Sequence, residues 1–136
     1  MNEYHREWKK TKRETSVEYV LRSNMSRRIN YALTTQINGA KTKTTIEYVG
    51  CSVEYLKMYL ESKFEIGMNW KNYGMCWHID HVIPCVAWDL TNPFESFCCW
   101  NYRNLMPLWA KENQSKKDKY DEEKKAVYVM KMRETM

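Results

Sequence analysis

Asp80 and His81 stand side by side in the run Trp77-His78-Ile79-Asp80-His81-Val82-Ile83-Pro84. Two asparagines, Asn104 and Asn113, and a lysine-rich segment from Lys111 to Lys119 follow. A carboxylate and an amide oxygen suit one oxygen-liking cation. An imidazole beside them can take a proton from water near neutral pH, and lysines attract an anion. Together these are the parts needed to hold a hard cation against a phosphodiester and to activate water next to it. Taken singly, each has an ordinary reading: a satisfied core histidine, or a solvated surface charge.

The elements that must position these groups are partly legible. Period two over Trp77–Ile83 predicts a strand with Ile79, His81 and Ile83 on one face and His78, Asp80 and Val82 on the other. Asp80 and His81 then point apart, and a shared site needs a twist, a bulge or a strand end. Pro84, which cannot donate to a ladder, favours a strand end. Residues 85–99 have no clear period. With Asp89, Thr91-Asn92-Pro93 and Phe94 they are expected to form a long ordered loop across the site. Trp100–Leu108 reads as a second strand and Trp109 to about Tyr120 as a helix. A further helix is expected over Asp121–Arg133, with Ala126, Val127 and Met130 facing inward.

The ordered set Asp80-His81-x-x-Pro84, Asn104-Leu105-x-Pro107-Leu108 and Asn113-x-x-Lys116 resembles the HNH endonuclease family, with its ββα-metal fold, over residues 76–120. Upstream, Glu47-Tyr48-Val49-Gly50-Cys51-Ser52 through Lys63-Phe64, then Gly67-Met68-x-Trp70 and Asn72-Tyr73-Gly74, resembles the leader region of virus- and phage-type members. The resemblance implies an α+β chain: a short antiparallel hairpin plus helix, with flanking, mainly N-terminal, helices. It implies a metal-dependent endonuclease that hydrolyses DNA phosphodiester bonds. Asp80 and Asn113 would hold one divalent metal, His81 would be the general base, and Asn104 would hold the His81 ring. Lys116 would meet phosphate. Asparagine at position 113, where other members have histidine, favours Mg²⁺ or Mn²⁺ over zinc.

Other residues carry open readings. Lys111, Lys117, Lys119 and Arg103 are further phosphate candidates or solvated charges. His78 could reach the metal, contact phosphate or pair across the hairpin. Many members of the family carry Cys-x-x-Cys pairs for a structural zinc. Here Trp109 and Glu112 stand at two of those positions, Cys76 has no such partner, and Cys98-Cys99 has the wrong spacing. The sequence therefore argues against a structural zinc, with Trp109 as a hydrophobic plug in its place.

Residues 1–75 read as a helical, basic region packing on the nuclease module at 76–120, and 121–136 as a C-terminal helix. A helix with a frayed start is expected over 3–22, and another over Asn24–Ile37 with Met25, Ile29, Leu33 and Ile37 on one face. Arg22, Arg27 and Arg28 lie near its polar side, as phosphate contacts or as a soluble surface. Asn38-Gly39 is a stop signal, and 40–45 reads as a loop. Ser52 is a good N-cap for a helix over 53–64, with Val53, Leu56, Leu60 and Phe64 as its apolar stripe. Cys51 reads as a small buried residue. Trp70, Tyr73 and Trp77 either line a nucleic-acid groove or pin the 65–74 loop to the core.

Charge is uneven. Residues 1–50 hold ten basic against five acidic side chains, 51–100 three against six, and 101–136 nine against six. Two basic ends flank an acidic middle, which suits a polyanion, double-stranded DNA above all, held around a cation site. No apolar run approaches the ~20 residues of a membrane helix, so no membrane partner is expected. Five cysteines, an odd number with two adjacent, argue for reduced thiols and an intracellular setting. One such site cuts one strand, so a double-strand cut calls for a homodimer or two events. The alternatives are a non-catalytic nucleic-acid-binding module that retains the HNH fold, and a scaffold protein that uses its helical flanks.

Overall fold

In the computed structural model, which describes residues 2–135, β1 (Trp77–His81) and β2 (Leu105–Trp109) pair antiparallel. Trp77 lies opposite Trp109, and His81 opposite Leu105. Helix α6 (Ala110–Lys116) leaves directly from the end of β2. The Ala110 N–H donates to the Cys76 carbonyl at 2.9 Å, tying the start of α6 to the start of β1. Among the described residues the chain is α+β: seven α-helices around one two-stranded antiparallel sheet. Pro107 sits opposite Ile79 in β2. A sheet of two strands has free edges, so the missing N–H is tolerated there.

The elements are shorter than expected. β1 ends at His81, not Ile83: the Val82 N–H still bonds across to the Asn104 carbonyl, but the Ile83 N–H turns to the Asn104 side chain. The 85–99 segment is not a long loop. It holds a 3₁₀ turn (Cys85–Ala87) and helix α5 (Pro93–Trp100), and a second 3₁₀ turn (Tyr102–Asn104) leads into β2. Trp100 therefore ends a helix instead of opening a strand. Asn92 explains α5: its side-chain oxygen accepts from the Phe94 and Glu95 N–H groups, and Pro93 occupies the first turn, where no N–H is needed. At 8 residues α5 is too short for its periodicity to show.

Upstream, α1 (Glu3–Thr15) and α2 (Val17–Ile37) divide at Ser16, not near residue 23. Ser16 is extended and its hydroxyl accepts from the Tyr19 N–H. Leu21, Met25, Ile29, Ala32 and Leu33 of α2 are buried, with Ile37 packed at the margin. Asn38, left-handed at φ 51°, closes the helix as its stop signal predicts. A short helix, α3 (Thr45–Val49), follows where no helix was expected; Thr44 caps it by accepting from the Glu47 N–H. Gly50 has φ 79°, and a Cβ there would lie 2.6 Å from the Asn101 amide nitrogen, so only glycine fits. Helix α4 (Val53–Glu61) is capped by Ser52 and buries Val53, Leu56 and Leu60 as expected. It stops three residues early. Phe64 turns instead into a cluster with Trp70 and Trp77, at ring separations of 5.3 and 5.0 Å. The neighbouring Cys51 is half-buried.

Helix α7 (Glu122–Thr135) presents a different face from the one expected. Ala126, Val127 and Met130 are exposed, whereas Met132 is fully buried and Tyr128 and Val129 pack on the core. Long amphipathic side chains set this face: Lys125 donates to the Ala87 carbonyl and lies over the Trp88 ring, and the Tyr128 hydroxyl donates to the Cys98 carbonyl at 2.7 Å. The buried cluster is continuous from Leu21 of α2 to Met132 of α7, so both flanks share one core with the hairpin. Among the described residues, no helix is long and apolar enough to cross a membrane.

Candidate functional site

Alternation along β1 places Asp80 and His81 on opposite faces, as period two requires. Asp80 faces α6. Its carboxylate accepts from the Lys116 ammonium at 2.7 Å, and the same ammonium reaches the His81 carbonyl. Lys116 was expected at a phosphate; here it is fastened to Asp80. Asn113 stands three residues before Lys116, on the same side of the helix by spacing.

His81 faces the interior and is only 5% exposed. The Trp100 ring meets its ring edge-on, with centroids 4.8 Å apart. Arg28 donates through Nη1 to the Ile79 carbonyl at 2.6 Å, and its Nη2 lies 3.4 Å from His81 Nδ1. Cys85 Sγ lies 3.6 Å from His81 Nε2, and Cys99 Sγ lies 3.4 Å from Cys85 Sγ. Hydrogen bonding from Cys99, then from His81, lowers the Cys85 thiol to about 5, with help from the Arg28 charge. Burial, with Cys85 alongside, pushes Cys99 well up. The ligand atoms of His81, Cys85 and Cys99 all lie within 4.8 Å of one another, a group that could hold a metal ion. Its chemistry is sulfur and imidazole rather than carboxylate and amide.

Asn104 does not hold the His81 ring. Its side chain is fully buried; Oδ1 accepts from the Ile83 N–H at 2.9 Å, while Nδ2 donates to the Ile83 and Cys99 carbonyls, each at 2.9 Å. It fixes the chain that leaves β1 and the end of α5, and so acts on His81 through the backbone.

A groove of about 750 Å³ beside β1 gathers His78, His81 and Asn113 with Arg27, Arg28 and Cys85. Asp80 is not in its lining. A second, larger cleft, of about 1010 Å³ between the N-terminal helices, is lined by Lys9, Arg22, Arg27 and Lys41 among others. Arg27 and Asn24 belong to both, so a basic path runs into the His81 groove. Arg27 donates to Asn24, whose amide donates to the Tyr73 hydroxyl at 2.8 Å. Tyr73 thus both joins the aromatic cluster and lines the groove.

Some predicted residues lie elsewhere. Arg103 stacks on Tyr102 at 4.7 Å and contacts Asn101. Lys111, Lys117 and Lys119 are exposed on α6 and the turn that follows it, outside the groove lining. Cys85 and Cys99 beside His81, and Lys9 and Lys41 in the larger cleft, join these groups without a sequence motif that marks them. Cys85, four residues after His81 and just past a proline, carried a weak signal of proximity. Cys99 carried none, because only the path of α5 brings it back.

Two uncharacterized proteins of Acanthamoeba polyphaga mimivirus are similar to this chain. One is 42% identical over 81 residues, covering 60% of this chain and 36% of that protein. The other is 34% identical over 121 residues, covering 84% of this chain and 54% of that protein. The chain thus spans about half, or less, of the length of these relatives. No protein-family model matches the chain, and no solved structure matches it.

Proposed function

We propose that the chain is a metal-dependent endonuclease of the HNH type that hydrolyses DNA phosphodiester bonds. The observation that carries this reading is the hairpin-and-helix unit itself. Its β1 presents Asp80 to α6 and His81 to a groove that also holds Asn113, His78 and two arginines.

Asp80, facing α6, offers a carboxylate oxygen, and Asn113, on α6 and lining the groove, offers an amide oxygen, a donor pair that suits a hard cation. An ammonium already lies between the Asp80 carboxylate and the His81 carbonyl, which marks the spot as one that favours positive charge. Asp80 and Asn113 would hold one Mg²⁺ or Mn²⁺, which would supply Lewis acidity toward a phosphoryl oxygen. His81 accepts the proton of the attacking water; such general-base help contributes about 10²–10⁴-fold. Arg27 and Arg28 draw a phosphate into the groove, and Lys116, exchanging Asp80 for phosphate, binds the backbone next to it. Asn104 positions His81 by locking the chain after β1. The basic cleft at Lys9, Arg22 and Lys41 extends the duplex contact away from the scissile bond. One site of this kind cuts one strand, so double-strand cleavage calls for two copies or two events.

A non-catalytic nucleic-acid-binding module is the second reading. The near burial of His81 and the engagement of Asp80 by Lys116 favour it.

Incubation of supercoiled plasmid with the purified chain, in Mg²⁺ or Mn²⁺ against EDTA, tests the proposal. Conversion to nicked circles in metal alone supports it. Salt-sensitive plasmid binding without nicking in either metal selects the second reading.

A further inference from the structure

We propose that His81, Cys85 and Cys99 form a second metal site, for a thiophilic ion of the zinc class, on the face of β1 opposite Asp80. The geometry carries this. A tetrahedral centre with Zn–S near 2.3 Å and Zn–N near 2.0–2.1 Å needs about 3.8 Å between sulfurs and about 3.6 Å between sulfur and nitrogen. Cys85 Sγ already lies 3.6 Å from His81 Nε2 and 3.4 Å from Cys99 Sγ. Cys99 Sγ and the His81 ring nitrogen lie within 4.8 Å of each other, so closing the site asks the two sulfurs to separate slightly and Cys99 to move toward the ring.

The scaffold holds the ligands in place. Asn104 bonds both main-chain groups of Ile83, between His81 and Cys85, and the carbonyl of Cys99. One buried side chain therefore pins the segments that carry all three ligands. Trp100 fixes the plane of the His81 ring. Such outer contacts commonly set metal affinity by about 10–100-fold.

Charge and protons balance. In the bound centre both sulfurs are thiolates and any thiol proton still held passes to the buffer, so a divalent ion with two thiolates and a neutral imidazole is a neutral centre. With Nε2 on the metal, the ring proton sits on Nδ1. Arg28 gives up its 3.4 Å approach to that nitrogen and keeps its bond to Ile79. Three protein ligands leave a fourth position open, and His81 and Cys85 both line the groove from which it is reached. Hard Mg²⁺ and Mn²⁺ prefer oxygen and are excluded from this donor set.

The consequence rests on the nuclease reading: an ion on Nε2 takes the nitrogen lone pair that a general base needs. Zinc then silences the groove while Mg²⁺ at Asp80 supports it.

Titration of the reduced full chain with Co²⁺ tests the site without reference to DNA. The site predicts one tightly bound cobalt per chain with a sulfur-to-cobalt charge-transfer band, bleached by zinc. Cys85→Ser and Cys99→Ser each remove a ligand and weaken binding by at least the about 10–100-fold that losing an outer contact costs, while Cys76→Ser, at an exposed cysteine, leaves the band intact. No charge-transfer band on the parent chain, or an undiminished band in both serine variants, overturns the proposal. In the nicking assay, zinc at one equivalent inhibits the parent chain and spares each serine variant relative to its own zinc-free rate. A cobalt band with zinc-insensitive nicking overturns the inhibitory role alone, and a cobalt band without any nicking supports the site while the nuclease reading fails.

Discussion

Lys116 Nζ donates to Asp80 Oδ2 at 2.7 Å across the interface between α6 and β1, and the same ammonium touches the carbonyl of His81. One cation thereby spans the two residues whose side chains point away from each other. A divalent ion that binds Asp80 through Oδ2 competes with it.

Competition between Lys116 and metal sets the first prediction. Both partners are part-exposed, and ion pairs of this sort contribute up to about 1 kcal/mol. Lys116→Met should tighten Mn²⁺ binding by up to about 5-fold, read by manganese titration, and weaken DNA binding at the same time. Weaker Mn²⁺ binding in the variant would show that Lys116 does not occupy the cation position.

Asn104 should behave as a structural keystone. Asn104→Ala strips the partner from three main-chain groups in a fully buried place. Leaving buried groups unpaired costs about 1–3 kcal/mol each before relaxation, so a loss of about 3 kcal/mol in urea unfolding is expected. A loss under about 1 kcal/mol would contradict the hydrogen-bond assignment.

Helix α7 offers a test of its packing face. Met132 is fully buried, whereas Met130 is 67% exposed. Met132→Ala should cost about 2–5 kcal/mol, and Met130→Ala less than about 0.5 kcal/mol. Equal effects would put the helix in another rotation.

Alkaline pH should loosen the core. Burial raises the Cys98 and Cys51 thiols from 9.0 to about 11. The unfolded thiols lose protons near 9.0 while the folded ones keep theirs. The folded state then binds more protons, and stability falls as pH rises from about 9 toward 11. Urea midpoints across that window should decline, and less steeply in Cys98→Ala. An equal slope in the variant would remove Cys98 as a cause.

The strand-strand-helix order was legible because each piece has a local cause. Alternation from Trp77 to His81, the Ser52 cap and the Asn38-Gly39 stop all appear in the structure where the residues put them. Two further local signals mark helices: Thr44-x-x-Glu47, which caps α3, and Asn92-Pro93, which opens α5. Hydrophobicity points to Val127 and Met130 as the inner face of α7, whereas in the structure Lys125 and Tyr128 bury their stems and rings instead. The His81–Cys85–Cys99 group had no sequence signature. Cysteine spacing reports only neighbours along the chain, and Cys99 returns through a whole helix.

The central claim is tested most directly by His81→Ala, with plasmid nicking and plasmid binding measured on the same preparation. The account predicts nicking reduced by about 10²-fold or more with binding close to that of the parent chain. Nicking at the parental rate by the variant would contradict the role given to His81.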